Sequence, residues 1–294
     1  MEKKKRQIDM ILENLKNGTR AIFESDAYKQ WLATLAHFHR YSLHNTILLQ
    51  MQMKMPPATQ VASLRTWNKL KRKVRAGEHG IKILVPTPVK IKDKNEEGEE
   101  EEREIMHFKV GHVFDISQVE ELPGAPPLTL GIRELKGDVD GYAKFMGAME
   151  AISPVPVRFD EIQGGAKGYY DPFNLEIVIK KDMSPMQTVK TCLHELSHAV
   201  LHSRDRMKAE GEKDRETKEV EAESIAHVCM LVLFGEDSSP YTFSYIATWS
   251  SGKEMPELMA SLQTIHDTAS ELINRFEEEL GKGESDGCTV QCGA

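Results

Sequence analysis

Residues 184–202 read SPMQTVKTCLHELSHAVLH, and this stretch decides the fold of the C-terminal half of the chain. Its apolar side chains recur at spacings of three and four, the period of an amphipathic helix. Ser184 suits the N-cap, Pro185 suits the first helical position, and Gln187 would complete a capping box. The sequence therefore predicts a helix that begins at Pro185 and carries an H-E-x-x-H motif.

The motif consists of His194, Glu195 and His198 with two intervening residues. Two histidines four residues apart on a helix lie on one face, one turn apart, so they can share an ion. Burying three such polar side chains in an apolar helix without a metal would be costly. We therefore predict one zinc ion held by His194 and His198, with Glu195 as the general base that activates a water molecule.

A catalytic zinc ion needs a third protein ligand while one position stays open for water. The segment EVEAE at 219–223 predicts this ligand on the next helix, where Glu219 and Glu223 share a face and Ala222 permits close packing. We assign Glu219 as the ligand and Glu223 as the acceptor of the free ring N–H of a ligand histidine. The sequence leaves open an exchange of the two glutamates.

Three nearby residues have ambiguous roles. His202, one turn beyond His198, is either a fourth ligand or an ordinary flanking histidine. His227 either lines the cleft or lies in the core. The sequence identifies no residue that stabilises an oxyanion, and Tyr245 and His227 are only candidates.

The segments around the motif predict a small mixed domain over residues 131–285. Helices are expected over 141–152 and 217–235, and short strands over VPVRFD, GYYDP and NLEIVIKK. We expect the last of these, residues 174–181, to present a free edge to which an extended peptide can add by main-chain hydrogen bonds.

The N-terminal half predicts a different arrangement. Residues 1–50 show the helical period, LRTWNKLKRKV at 64–74 predicts a short basic helix, and IKILVPTPVKI at 81–91 predicts a strand. The acidic run NEEGEEEERE at 95–104 then fits the exposed tip of a long hairpin. Pro- and Gly-rich sequence places a domain boundary near residue 130, so residues 1–130 form the predicted first domain.

Basic residues concentrate beside a tryptophan in this first domain. Such a patch suits a groove that contacts phosphates, with the aromatic ring as a platform for a base. The alternative is a solvated helix face with the tryptophan in the core. The candidate DNA contacts are Arg65, Trp67, Lys69, Lys71, Arg72, Lys73, Arg75 and Lys82.

The overall composition excludes some classes of protein. The chain has 294 residues, a net charge of -8 and 40% hydrophobic residues, with no apolar run near the roughly 20 residues that span a bilayer. We expect a cytoplasmic protein with no membrane partner. The four cysteines do not predict a disulfide framework: Cys192 and Cys229 fall in helical patterns, and Cys288 and Cys292 lie in a tail, 286–294, expected to be flexible.

The second half resembles the zincin-like domains of the ImmA/IrrE group, and is closer still to the C-terminal domain of the ArdC antirestriction family and its LtrC-like relatives. HELSHAVLH, the E-x-x-A-E segment at 219–223 and YIATWS at 245–250 carry this likeness. In the first half, YSLHNTILLQMQ, the block from Ala58 to Pro86 and VFDISQ are similar to the ArdC N-terminal domain.

The resemblance implies an α+β protein of mobile elements: a helical and β-hairpin domain that binds single-stranded DNA, then a zincin-like metallopeptidase domain with a small sheet and the H-E-x-x-H helix. It also implies an antirestriction role and an unknown protein substrate. One alternative is an ImmA-like metallopeptidase regulator that cleaves a repressor without binding nucleic acid. Another keeps the metal as purely structural.

Overall fold

The computed structural model describes residues 2–23, 25–53, 59–94, 100–128, 139–237 and 246–282. The predicted boundary near residue 130 and the predicted tail with Cys288 and Cys292 lie outside these ranges. The chain is a mixed helix and sheet protein, so the α+β prediction is confirmed.

Helices and strands are numbered separately in chain order. The helices are α1 (Glu2–Ile22), α2 (Ser25–Phe38), α3 (Leu43–Gln52), α4 (Leu64–Lys69), α5 (Val139–Ile152), α6 (Pro185–Leu201), α7 (Arg204–Glu210), α8 (Arg215–Phe234), α9 (Ile246–Ser251) and α10 (Met255–Gly281). The strands are β1 (Val61–Ala62), β2 (Arg72–Val74), β3 (Ile81–Lys94), β4 (Glu100–Asp115), β5 (Val119–Glu121), β6 (Val157–Asp160), β7 (Gly168–Asp171) and β8 (Glu176–Lys180).

The chain packs into two compact units whose division is not a simple cut along the sequence. Among the described residues, the first unit holds positions up to Arg20 and then His44–Leu128. The second unit holds Ala21–Leu43 together with the described residues after 129. Helix α2 therefore belongs with the C-terminal half and not with the N-terminal domain in which the sequence placed it. The reason is burial: Trp31, Leu32 and Leu35 are completely enclosed.

A long hairpin dominates the first unit. Strands β3 and β4 pair antiparallel from Ile81 opposite Val113 to Lys94 opposite Glu100, which is the predicted hairpin. Residues 100–104 of the predicted acidic tip are instead part of β4, and residues 95–99 lie outside the described ranges. The short strand β1 pairs with the other edge of β4, which completes a three-stranded sheet in the order β1-β4-β3.

The basic segment 64–74 is not one helix, contrary to the prediction. Helix α4 ends at Lys69, Lys71 adopts a left-handed backbone with φ of 53°, and the chain then enters β2, which pairs antiparallel with β5. The pairing with a strand almost fifty residues away outweighs the local helix propensity of these lysines and arginines.

The second unit contains a three-stranded sheet in the order β6-β8-β7. Strand β8 runs parallel to β6 and antiparallel to β7, so it is the central strand. The predicted free edge at 174–181 is therefore wrong, because both sides of β8 are paired. The edge that remains beside the H-E-x-x-H helix belongs to β7, whose residues line the same cleft.

Helix α6 begins at Pro185 with Ser184 as its N-cap, as predicted, but without a capping box. The Gln187 side chain instead bonds Lys167 and Thr191. Helix α8 ends at Gly235 in the left-handed conformation, as the sequence predicts. Phe145 of α5 stacks on Phe276 of α10 at a centroid distance of 5.4 Å in the core of the unit.

Cys192 and Cys229 are buried free thiols, and burial raises the pKa of each to about 12. Among the helices in the described ranges, none combines the length and apolar character needed to cross a bilayer.

Candidate metal centre

Helices α6 and α8 pack side by side and bring three donor groups together. His194 and His198 project from successive turns of α6, and Glu219 projects from the first half of α8. Ala222, which is fully buried, leaves room for the close approach of α8. The ligand atoms of the three residues lie within 4.8 Å of one another.

The distances define a compact triangle. The two Nε2 atoms are 3.1 Å apart, and a Glu219 carboxylate oxygen lies 3.4 Å from His194 Nε2 and 3.8 Å from His198 Nε2. Tetrahedral ligands about 2.0–2.1 Å from a zinc ion are separated by roughly 3.3 Å. The donor set of two imidazoles and one carboxylate therefore fits a divalent metal ion with an open position.

The ring nitrogens that face away from this triangle have partners of their own. His194 Nδ1 lies 3.2 Å from a Glu223 oxygen, and the other Glu223 oxygen is 2.7 Å from Lys190 Nζ. Glu223 thus lies behind the histidine while Glu219 lies in front of it. On His198, Nδ1 lies 2.8 Å from Nδ1 of His202. His202 therefore lies behind His198 and outside the donor triangle.

The electrostatics of the triangle favour a cation. Burial alone would lower the pKa of His194, but the hydrogen bonds to Glu219 and Glu223 outweigh it and raise this pKa to about 10. Hydrogen bonds from His194 and His198 hold the pKa of Glu219 well below its ordinary value. Burial opposes ionisation of Glu223, yet its bonds to His194 and Lys190 lower its pKa to about 2.

Glu195 lies beside the triangle and lines the same cleft, although most of its surface is covered. Its side chain is buried, and desolvation raises its pKa above the usual carboxyl value, partly offset by the charge of His194. The backbone N–H of Tyr170 donates a hydrogen bond to the carboxylate. A carboxylate with a raised pKa and a fixed orientation suits proton transfer near neutral pH.

A cleft of about 480 Å³ opens over these residues. Strand β7 contributes Gly168, Tyr169 and Tyr170 to its lining, and α8 contributes Arg215 and Lys218. His227 is buried and is not among the residues that line the cleft, which places it in the core. Tyr245 lies outside the described residues.

Two of the predicted DNA contacts are buried. Trp67 is only 2% exposed, and its indole N–H donates to the Phe114 carbonyl at 2.7 Å. The Arg72 guanidinium is also enclosed, and it donates to Glu121 and to the carbonyls of Leu70 and Pro126. Both side chains are buried and bonded within the protein, so they are not available to contact DNA.

The Arg75 side chain is exposed to solvent, but it also bonds to other parts of the protein. It donates to the carbonyls of Ser117 and Val119 and pairs with Glu78. Glu78 in turn accepts from the Gln118 amide at 3.0 Å. Arg75 and Glu78 therefore bond to residues 117–119, and these contacts hold the two segments of the first unit together.

The remaining basic residues of the patch are exposed to solvent. Helix α4 supplies two of them one turn apart, and the turn and strands that follow supply the others. This set is Arg65, Lys69, Lys71, Lys73 and Lys82.

The sequence did not predict four residues that lie near the candidate metal centre. Tyr170 acts through its backbone, which no side-chain pattern reveals. Lys190 pairs with Glu223, and Lys213 pairs with Glu221, a carboxylate 3.8 Å from His202 Nε2. A lysine four residues before His194 lies on the same helix face, and this spacing is the only signal that the sequence offered for Lys190.

Comparisons with known proteins agree with this architecture. Residues 1–114 match the family described as the N-terminal domain of anti-restriction factor ArdC, and residues 155–260 match the IrrE N-terminal-like domain of the peptidase M78 group. An uncharacterized protein of Bacillus anthracis is 25% identical over 288 residues, with 84% of this chain and 47% of the relative covered. The chain thus spans about half the length of that relative.

Two solved structures share the fold. The metal-free crystal structure of the antirestriction ArdC protein from the R388 plasmid has a TM-score of 0.58 at 19% identity, with 91% of this chain and 98% of that chain covered. The Mn(II)-bound structure of the same protein has a TM-score of 0.51 at 19% identity, with coverages of 83% and 86%.

The fold and the helix pair define a two-domain protein whose second domain is of the zincin-like M78 type. More specifically, the chain is ArdC-like in its domain order: a region that matches the ArdC N-terminal domain precedes a region that matches the IrrE-like domain.

Proposed function

We propose that the C-terminal domain is a metal-dependent peptidase that holds one zinc ion through His194, His198 and Glu219. The observation that carries this proposal is the convergence of the three donor atoms beside the buried carboxylate of Glu195. The manganese in the R388 ArdC structure supports a divalent ion in proteins of this fold.

The residues of the cleft divide the chemistry among them. A bound zinc ion would lower the pKa of water to about 7 and polarise a peptide carbonyl. Glu195 takes the proton from the attacking water and returns it to the leaving amine, while the Tyr170 N–H holds the carboxylate in place. The free edge of β7 supports an extended polypeptide through main-chain hydrogen bonds across the cleft.

Elemental analysis of purified protein tests the ligand set. Wild type should contain one equivalent of metal, and both His198→Ala and Glu219→Ala should lose it. Glu223→Gln is the matched control: it changes a glutamate outside the donor triangle, and its amide oxygen can still accept from His194 Nδ1, so it should retain bound metal. Loss in Glu223→Gln with retention in Glu219→Ala would exchange the two assignments.

Glu195→Gln separates catalysis from binding. This variant should keep its metal but lose hydrolysis of a pool of fluorogenic peptides by at least about 100-fold, as expected for removal of a general base. The alternative of a purely structural metal predicts two other results. The wild type would bind metal but cleave no peptide in the pool, and the biological effect would survive in Glu195→Gln.

We further propose that the N-terminal domain binds single-stranded DNA through Arg65, Lys69, Lys71, Lys73 and Lys82. Their exposure supports this, since none of the five is enclosed, in contrast to Arg72. The net charge of -8 gives no general attraction for nucleic acid, so binding depends on this local patch. An antirestriction role in the cytoplasm is consistent with both domains.

Salt dependence distinguishes this proposal from the ImmA-like alternative. Each lost phosphate contact lowers the slope of log affinity against log salt by about 0.7 for a single strand. Replacement of Lys69, Lys71 and Lys73 by methionine should therefore flatten the slope by about two units for an oligonucleotide. An unchanged slope would remove the patch, and no measurable wild-type binding at physiological salt would favour a repressor-cleaving regulator.

A further inference from the structure

A third glutamate of α8 lies near the metal centre without a role in the chemistry described above. Glu221 is completely buried, and its two carboxylate oxygens lie 2.8 and 2.9 Å from Lys213 Nζ. An isolated buried carboxylate is strongly unfavourable, so this ion pair is what keeps Glu221 in the interior.

His202 lies between this ion pair and the ligand histidine. It caps the C-terminus of α6 and is buried, with Nδ1 2.8 Å from His198 Nδ1 and Nε2 3.8 Å from a Glu221 oxygen. Lys213, Glu221 and His202 therefore lie in succession behind His198, although the 3.8 Å between His202 and Glu221 is too long for a direct hydrogen bond.

The hydrogen-bond chemistry gives this arrangement a direction. A histidine that binds a metal through Nε2 carries its proton on Nδ1, so His198 must donate from that atom. The partner 2.8 Å from this atom is Nδ1 of His202, which must then accept, so the proton of His202 resides on its Nε2. That proton faces the negative charge of Glu221.

We propose that His202 is a positioning residue that fixes the tautomer and orientation of His198, and that Glu221 with Lys213 fixes His202 in turn. This arrangement parallels the direct support of His194 by Glu223 and Lys190. The proposal rests on the metal site proposed above and adds the residues that hold one of its ligands.

The side chains of Lys213, Glu221 and His202, which together position His198, are called the relay below. Metal affinity measured by chelator competition tests this relay without any need for a peptide substrate. His202→Ala should weaken zinc binding by about 10–100-fold, the usual effect of losing such an outer partner. Asn has an amide oxygen close to the position of the histidine Nδ1, and Gln has its oxygen close to Nε2. His202→Asn should therefore restore much of the affinity, and His202→Gln should not.

The absorption spectrum of the cobalt-substituted protein gives a second readout. His202→Ala should shift the d–d bands because His198 can rotate, and His202→Asn should leave them close to wild type. His266→Ala is the matched control. This histidine is also buried in the same unit, but its Nε2 bonds the backbone carbonyl of Tyr41 and not a histidine of the donor triangle. His266→Ala should lower thermal stability while zinc affinity and the cobalt spectrum stay unchanged.

Two results would overturn the relay. The first is a wild-type affinity in His202→Ala, and the second is an equal affinity loss in His202→Ala and His266→Ala, which would reflect general destabilisation. Failure of wild type itself to bind zinc, cobalt or manganese would instead overturn the proposed metal site, and the relay with it.

Discussion

Arg72 and Lys73 are neighbours in sequence, carry the same charge and have opposite environments. The Arg72 side chain is 2% exposed and makes three hydrogen-bonded contacts, whereas Lys73 points to solvent from the same strand. Alternation along β2 accounts for the difference, because successive side chains of a strand face opposite sides. One residue therefore stabilises the fold, and the other is free to bind a ligand.

We expect Arg72→Met and Lys73→Met to separate stability from DNA binding. Arg72→Met should lower the free energy of unfolding by about 1.5–3 kcal/mol, since its charged hydrogen bonds are lost. Lys73→Met should change stability by less than about 0.5 kcal/mol and flatten the salt slope of oligonucleotide binding. Urea denaturation and fluorescence anisotropy measure the two effects, and a destabilised Lys73→Met protein would contradict the assignment.

At the scale of elements, the N-cap of α8 stabilises the start of the helix that carries Glu219, Glu221 and Glu223. Asp214 is its N-cap, accepts from the Thr217 backbone at 2.9 Å and pairs with Lys253 at 2.6 Å. Partial burial opposes ionisation of Asp214, but these contacts outweigh it and hold its pKa far below the ordinary value.

The stability that Asp214 contributes should depend on pH. Because its pKa is lower in the folded protein than the unfolded value of about 3.9, the charged form stabilises the fold above about pH 4, and this contribution is lost as the pH falls further. Asp214→Ala should lower the free energy of unfolding by about 1 kcal/mol at pH 7 and by less at pH 3.

Asp214→Asn is the control for this comparison, since asparagine caps a helix well but cannot form the ion pair. It should recover the part of the stability at pH 7 that comes from capping and lack the charge-dependent part, which is small because the pair with Lys253 is half-exposed. A deficit of Asp214→Ala that is the same at both pH values would contradict the linkage argument.

Strand β7 lies close to α6 because position 168 has no side chain. A Cβ at Gly168 would lie 2.7 Å from Thr191 Cγ2 and 3.1 Å from the Val178 carbonyl oxygen. Gly168→Ala should therefore destabilise the protein by about 1–3 kcal/mol and move the cleft wall.

A double-mutant cycle tests the origin of that strain. Serine at 191 keeps the hydroxyl that donates to the Gln187 carbonyl and lacks Cγ2. Thr191→Ser should therefore recover part of the loss caused by Gly168→Ala, with a coupling of about 0.5 kcal/mol or more in thermal unfolding. Additive effects would show that the strain lies elsewhere.

At the scale of the whole molecule, α2 is part of the unit that contains the metal centre. The Tyr28 hydroxyl is hydrogen bonded to Ser224 of α8 at 2.8 Å, five residues beyond Glu219, and α2 buries three large apolar side chains. A fragment that begins at residue 139 would leave this apolar surface of the unit uncovered.

Such a fragment should bind a hydrophobic dye and unfold without a sharp transition. Addition in trans of a peptide with residues 21–43 should reduce dye binding and raise the unfolding temperature. A peptide in which Trp31 and Leu35 are replaced by serine is the control and should have no effect. A cooperative transition of the fragment alone would show that α2 is dispensable.

The local sequence determined much of this protein. Helix α6 with its two histidines, helix α8 with its closing glycine and the acidic partners at 219 and 223 follow from patterns local to each helix. The β3–β4 hairpin follows from two adjacent strand patterns joined by a polar run. Such patterns are reliable because helical periodicity and i, i+4 geometry depend only on nearby positions.

The tertiary structure alone decided how those elements meet. It determined that Glu219 faces the ring nitrogens while Glu223 lies behind them, that β7 and not β8 is the free edge, that α2 joins the second unit, and that Arg72 and Trp67 are buried. Each of these outcomes depends on contacts between residues far apart in the chain. Burial and pairing are properties of the packed molecule, and no local pattern contains them.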